Sequence, residues 1–113
     1  MSLQQGELDL EELKDRFDII TGAGNYGIGW GLALHAATEL NMHVVLIDLY
    51  QSTIESAAEE LQALAPSRKI IPIACDVTNE TDLEDILRKL DRDNAEISIG
   101  AVFANAGVIF NNT

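Results

Sequence analysis

Short apolar runs alternate along this chain with longer segments in which apolar residues recur every three or four positions. The apolar runs predict four buried strands, at 17–21, 43–47, 69–75 and 97–104. The segments between them have the spacing of helices with one apolar face. Strands that alternate with helices require parallel pairing and right-handed crossovers, so the pattern predicts a doubly wound α/β sheet.

Three helices are predicted between the strands. The first covers about 27–40, where apolar residues recur every four positions. Ser52 and Glu55 have the spacing of a capping box at the start of the second helix. Thr81 and Glu84 repeat that spacing at the start of the third helix. This helix is predicted to end in a charged stretch before the fourth strand.

Proline in the third predicted strand bears on the order of the sheet. Pro72 has no backbone N–H, so it belongs on an edge strand or beside a bulge. A doubly wound sheet with the order third, second, first, fourth places the Pro72 strand at an edge. We therefore predict a four-stranded parallel sheet in the order 3-2-1-4.

Composition narrows the choice of partners. The chain has 113 residues, 47% of them apolar, which suits one compact domain. Seven basic against nineteen acidic side chains give a formal net charge of −12, which disfavours a nucleic-acid backbone or an anionic membrane as partner. Cys75 is the only cysteine and His35 and His43 are the only histidines, so we expect neither an intrachain disulfide nor a metal cluster.

The N-terminal segment differs in composition from the rest of the chain. Residues 1–16 are polar and acidic and predict an N-terminal tail or a short lead-in helix, with one domain over 17–113. The start of the chain lacks a basic segment followed by an apolar run, and no run of 18 apolar residues occurs. The expectation is a soluble, cytoplasmic protein without a membrane segment.

The strongest chemical signal is a glycine-rich stretch between the first strand and the first helix. A diphosphate needs close backbone approach and free N–H donors, and glycines at a helix start provide both. Gly22, Gly24 and Gly27 fit the G-x-G-x-x-G fingerprint, and Gly29 or Gly31 would let helix and strand pack closely. Dinucleotide binding is the favoured interpretation, and a purely structural glycine turn is the alternative.

Asp48 follows the second predicted strand. A carboxylate there can accept hydrogen bonds from both ribose hydroxyls of adenosine and would repel a 2′-phosphate. Neither Leu49 nor Tyr50 supplies a positive charge. NAD is therefore favoured over NADP, although an ordinary solvated aspartate at a strand end would give the same sequence.

Three motifs in order resemble the short-chain dehydrogenase/reductase family. The stretch 21–29 resembles its Thr-Gly-x-x-x-Gly-x-Gly loop, 76–77 its Asp-Val after the third strand, and 105–107 its Asn-Ala-Gly after the fourth. The resemblance implies a Rossmann-like fold, an adenine contact at Asp76 and Val77, and a cofactor lined by 105–107. The implied cofactor-binding residues are Gly22, Gly24, Asn25, Tyr26, Gly27, Ile28, Gly29, Asp48, Leu49, Asp76, Val77, Asn105, Ala106 and Gly107.

The sequence departs from the family pattern in two places. Four residues separate Gly22 from Gly27 where the family has three. Catalysis in the family depends on a Ser, a Tyr and a Lys four residues after that Tyr, but Tyr26 and Tyr50 are not followed by such a Lys. We therefore expect no catalytic residue here.

Two functions remain open at this point. The first is the cofactor-binding portion of an NAD-dependent oxidoreductase, inactive alone. The second is a stand-alone nucleotide-binding or regulatory module that pairs with another chain. The fourth strand and the apolar stretch 108–110 would leave a sheet edge uncovered, which invites an oligomer or a partner chain. We expect poor solubility or loose folding in preference to a defined dimer.

Overall fold

The computed structural model describes residues 10–22 and 27–104. Its strands are β1 (Phe17–Thr21), β2 (His43–Asp48), β3 (Ile70–Ala74) and β4 (Ile99–Ala104), and its α-helices are α1 (Ile28–Thr38), α2 (Gln51–Leu64) and α3 (Glu80–Asp93). A 3-10 turn, Leu10–Glu12, precedes β1. All strands pair in parallel in the order β3-β2-β1-β4, which confirms the predicted order. No helix in these ranges has the length and apolarity to cross a membrane.

Helices cover the sheet on both faces. Alternate side chains of β1 and β2, such as Ile20 and Leu46, are buried with apolar residues of α1 and α2. The intervening side chains, such as Ile19 and Val45, are buried on the opposite face with Leu83 of α3. A strand covered on both faces has no solvent-facing side, which is why β1 and β2 contain uninterrupted apolar runs, Ile19–Ile20 and Val44–Ile47, in place of a strict alternation of apolar and polar residues.

The hydrogen bonds around β3 explain how it accommodates Pro72. Val44 N donates to Lys69 O at 2.9 Å, and Cys75 N donates to Asp48 O at 2.9 Å. Bonds of a parallel ladder recur every second residue, so the odd-numbered residues of β3 bond to β2 and the even-numbered ones face outward. Pro72 therefore removes a donor from the open edge and none from the sheet, as predicted for an edge strand.

A bulge interrupts the pairing of β1 with β4. Phe17 pairs with Ile99 but Asp18 pairs with Ala101, so Gly100 is the extra residue of β4. A Cβ at Gly100 would lie 3.1 Å from the Cβ of Arg16. Glycine at the bulge thus allows the segment before β1 to pack closely against β4.

The two capping boxes predicted at the helix starts are wrong. Tyr50 is the N-cap of α2 and gives no side-chain cap, so Ser52 already lies inside the first turn. Asn79 is the N-cap of α3, and its Oδ1 accepts a hydrogen bond from Asp82 N at 3.1 Å. Asparagine is among the strongest N-cap residues, and it starts α3 before Thr81 is reached.

A polar network ties the amino ends of the strands together. Arg68 Nη1 donates to Asp15 Oδ1 at 2.6 Å and to Asn41 O at 2.8 Å. Lys69 N donates to Nδ1 of His43 at 2.8 Å. Burial lowers the pKa of His43 and so favours the neutral ring, whose Nδ1 can accept this bond.

Candidate functional site

The carboxyl ends of β1, β2 and β3 meet at one edge of the sheet. Gly22 N, just after β1, donates to Ile47 O of β2 at 2.8 Å. The bond from Cys75 N to Asp48 O joins the ends of β2 and β3. These links bring the segments of Gly22, Asp48 and Asp76 to the same edge. In open α/β sheets, ligands bind in the crevice outside this edge.

The described part of the glycine stretch needs glycine at its first position. Gly22 has φ of 72°, in the left-handed region where a Cβ is strained. Gly27 is the N-cap of α1 and carries no side chain to shield the first-turn amides, and Ile28 is exposed. A helix start of this kind attracts an anion. Gly24, Asn25 and Tyr26 lie outside the described residues.

Only one of the two glycines suggested for close packing is enclosed. Gly29 is buried at the start of α1. A Cβ at Gly31 would meet nothing within 4 Å, so the alternative that placed Gly31 between helix and strand is wrong. Gly31 lies on the partly open side of the helix, where no close approach requires it.

Asp48 is the last residue of β2. Its Oδ1 accepts a hydrogen bond from the backbone N–H of Leu49 at 2.6 Å. Leu49 and Tyr50 are exposed beside it and contribute no charge. The sequence contains no Lys or Arg between Phe17 and Ser67, so neither the glycine stretch nor β2 and α2 supply a cation to this edge.

Asp76 forms a tight turn after β3. Its Oδ1 accepts hydrogen bonds from Thr78 N at 3.0 Å and from Thr78 Oγ1 at 2.6 Å, and both lower the pKa of Asp76. Both of these bonds use Oδ1, which leaves Oδ2 on the exposed side chain to accept from a ligand. Val77 is partly buried against the α3 face of the sheet. Asn105, Ala106 and Gly107 lie outside the described residues.

Asp18 is an unusual carboxylate that the sequence interpretation missed. It lies in β1, in register with Val44 and Ala101, where the predicted strand was treated as an apolar run. Burial raises the pKa of Asp18 to about 6. The one available signal was a charged residue inside a strand predicted to be covered on both faces. Asp18 lies at the other end of β1 from Gly22, so it does not belong to the candidate site.

A parallel sheet with a glycine after β1, an aspartate at the end of β2 and another after β3 has the features of α/β folds that bind nucleotides. The family model described as short chain dehydrogenase matches residues 17–113. The chain therefore belongs to the short-chain dehydrogenase family. It is 25% identical over 104 residues to mouse dehydrogenase/reductase SDR family member 1, covering 89% of this chain.

Solved structures of the family share the fold. A short chain dehydrogenase from Mycobacterium smegmatis matches 87% of this chain with a TM-score of 0.75 and 22% identity, over 38% of its own length. L-sorbose reductase from Gluconobacter frateurii, in complex with NADPH and L-sorbose, matches 89% with a TM-score of 0.74 and 23% identity, over 36% of its length. NAD⁺-bound xylitol dehydrogenase matches 86% with a TM-score of 0.73 and 27% identity, over 35% of its length.

The matches cover only part of each relative. The chain spans 32% of the length of the mouse protein, and the shares of the three structures are similar. What the chain shares with the three structures is therefore the fold of this part of their length.

Proposed function

We propose that this chain is the NAD-binding portion of a short-chain dehydrogenase/reductase oxidoreductase and that residues 17–113 form its cofactor-binding domain. The observation that carries the proposal is the convergence of Gly22, Asp48 and Asp76 at the carboxyl edge of the sheet. The spacing of these residues in sequence is wide, and only the parallel order β3-β2-β1 brings them together.

The local structure of each residue fits one part of a dinucleotide. Gly22, at positive φ, and Gly27, without a side chain, leave room for a diphosphate at the start of α1. In this proposal the Asp48 carboxylate accepts hydrogen bonds from the adenosine ribose hydroxyls, and Oδ2 of Asp76 accepts one from the adenine amino group. In the family's reaction the bound nicotinamide carries the hydride between an alcohol and a carbonyl. The Tyr and Lys that would move the proton are not in this sequence, so we propose that the chain is inactive alone.

The electrostatics of the edge favour NAD over NADP. A 2′-phosphate would lie against the Asp48 carboxylate, and the stretch from Phe17 to Ser67 contains no Lys or Arg to compensate. Relatives have been solved with either cofactor, NADPH in the L-sorbose reductase and NAD⁺ in the xylitol dehydrogenase. The preference proposed for this chain therefore rests on its own residues.

Calorimetry with NAD, NADP and ADP-ribose tests the proposal. We expect saturable binding of NAD and ADP-ribose, weaker binding of NADP, and a loss of roughly tenfold or more for NAD in Asp48→Ala, because a charged hydrogen-bond acceptor is removed. Glu59→Ala, an exposed change in the middle of α2, is the matched control and should leave the affinity unchanged. Absence of ADP-ribose binding by the folded protein would contradict the proposal.

One observation favours a second candidate function, a nucleotide-binding module that pairs with another chain. Ile99, Val102 and Phe103 of β4 all expose a third or more of their surface, and β4 ends the described sheet on the side away from β1. An exposed apolar edge is a site for a partner or for self-association. Sedimentation would separate this function from the first, since a module should form one defined complex. In either case the proposed location is the cytoplasm.

A further inference from the structure

A groove lies between β3 and α3, on the face of the sheet opposite α2. Its volume is about 490 Å³, which is within the range of pockets that bind small molecules. The floor is apolar and consists of Ile71, Ile73, Ile86 and Leu90. The groove runs along the open edge of the sheet, whereas the proposed cofactor edge is at the carboxyl ends of the strands.

The groove is lined by two of the seven basic side chains of this strongly acidic chain, Lys69 and Lys89. Asp93 is the single acidic residue of the lining, and its Oδ1 lies 3.5 Å from Nε of Arg92, which offsets its charge. The groove therefore combines an apolar floor with an excess of positive charge. An isolated cluster of this kind is complementary to a small anion that has an apolar body.

Lys69 is held over one end of the groove. Its Nζ donates to Oδ1 of Asn94, which is only 4% exposed and whose Nδ2 donates to Leu90 O at 3.0 Å. An ammonium has three donors, so this bond leaves two for a ligand. Lys89 is exposed, and no hydrogen bond or ion pair engages its ammonium within the described residues.

We propose that this groove binds a small amphipathic carboxylate, with its hydrocarbon body on the isoleucine and leucine floor and its carboxylate between Lys69 and Lys89. A peptide strand is a poorer occupant, because Pro72 removes a donor from the outward edge of β3. A dinucleotide is also a poorer occupant, because its two phosphates and polar sugars would cover an apolar floor.

Titration of the ¹⁵N-labelled chain with octanoate, followed by amide chemical shifts, tests the proposal. We expect saturable shifts at β3 and α3 and weaker or no binding of 1-octanol, which lacks the charge. Lys89→Glu should weaken octanoate binding roughly threefold to tenfold, the range for loss and reversal of one exposed charge. Arg88→Glu makes the same change one residue away and outside the groove, and it should leave the affinity nearly unchanged.

Three results would overturn the proposal. They are equal weakening by Lys89→Glu and Arg88→Glu, octanol binding as tight as octanoate binding, and octanoate shifts centred on β4 or absent from β3 and α3. The dispersion of amide shifts in unliganded Lys89→Glu is the test of folding, and it should match that of the unmodified chain because Lys89 is exposed.

Discussion

Asp18, Asp48 and Asp76 are carboxylates on or just after three adjacent strands, yet their surroundings differ. Asp48 and Asp76 accept hydrogen bonds from backbone N–H groups at the carboxyl edge. The hydrogen bonds from Thr78 lower the pKa of Asp76. Asp18 lies between Val44 and Ala101 in the sheet, and burial favours its neutral form. Asp48 and Asp76 belong to the proposed ligand site. Asp18 does not, and burying its carboxyl group costs stability when the group is ionised.

We expect Asp18→Asn to stabilise the protein at neutral pH. The pKa of Asp18 is raised from 3.8 to about 6, so the folded state holds its proton more tightly than the unfolded state. That contribution to stability is fully present below pH 3.8 and is lost as pH rises through 6. Allowing for partial solvent screening, the variant should gain about 1–2 kcal/mol in free energy of unfolding at pH 7.5 and almost nothing at pH 4.

Urea unfolding at both pH values measures this difference. Asp91→Asn, at an exposed position of α3, is the control and removes the same charge without relieving burial. An equal gain in both variants would show that lower net charge, and not the environment of Asp18, is responsible.

Asp48 was predicted from its position after a buried strand and Asp76 from the family resemblance, and the structure places both segments at the carboxyl edge of the sheet. Their roles in cofactor binding remain predictions. The environment of Asp18 could not be predicted in this way. Its neighbours Val44 and Ala101 are distant in sequence and become neighbours only when β1 lies between β2 and β4. The network from Arg68 to Asp15 and Asn41 was unpredicted for the same reason.

At the scale of elements, the strands were more predictable than the helix starts. A run of apolar residues between glycines or polar segments is a strong pattern. Three of the four observed strands fall within the predicted ranges, and β2 extends one residue further, to Asp48. A Ser or Thr followed three residues later by Glu is a weak pattern in a chain this acidic. In α3 the stronger cap, Asn79, precedes the predicted one and determines where the helix begins.

The cap of α3 can be tested directly. Asn79→Ala removes the acceptor for Asp82 N and should lower the free energy of unfolding by about 1 kcal/mol. Thr81→Ala, two residues into the same helix and exposed, should change it by less than about 0.5 kcal/mol. Chemical denaturation of the two variants measures both values. A larger loss in Thr81→Ala would restore the capping box that the structure contradicts.

At the scale of the whole molecule, the two edges of the sheet differ in how they resist pairing. Pro72 protects the β3 edge by removing an outward donor. The hydrogen bonds between β2 and β3 do not need that donor. No comparable proline or charge lies within β4, where Val102 is 56% exposed. The formal net charge of −12 opposes the approach of two copies of the chain.

This balance predicts a salt-dependent self-association. Raising NaCl from about 20 mM to 0.5 M shortens the screening length from about 20 Å to about 4 Å, so we expect light scattering to increase with salt. Val102→Glu should reduce the increase because it places a charge on the open edge. Leu64→Glu adds the same charge at a similarly exposed position at the end of α2, away from β4, and should reduce it less. If both variants reduce the increase equally, net charge alone controls association. If sedimentation shows a sharp dimer that Val102→Glu dissociates, the β4 edge is a defined interface. That result would favour the paired module over the isolated cofactor-binding portion.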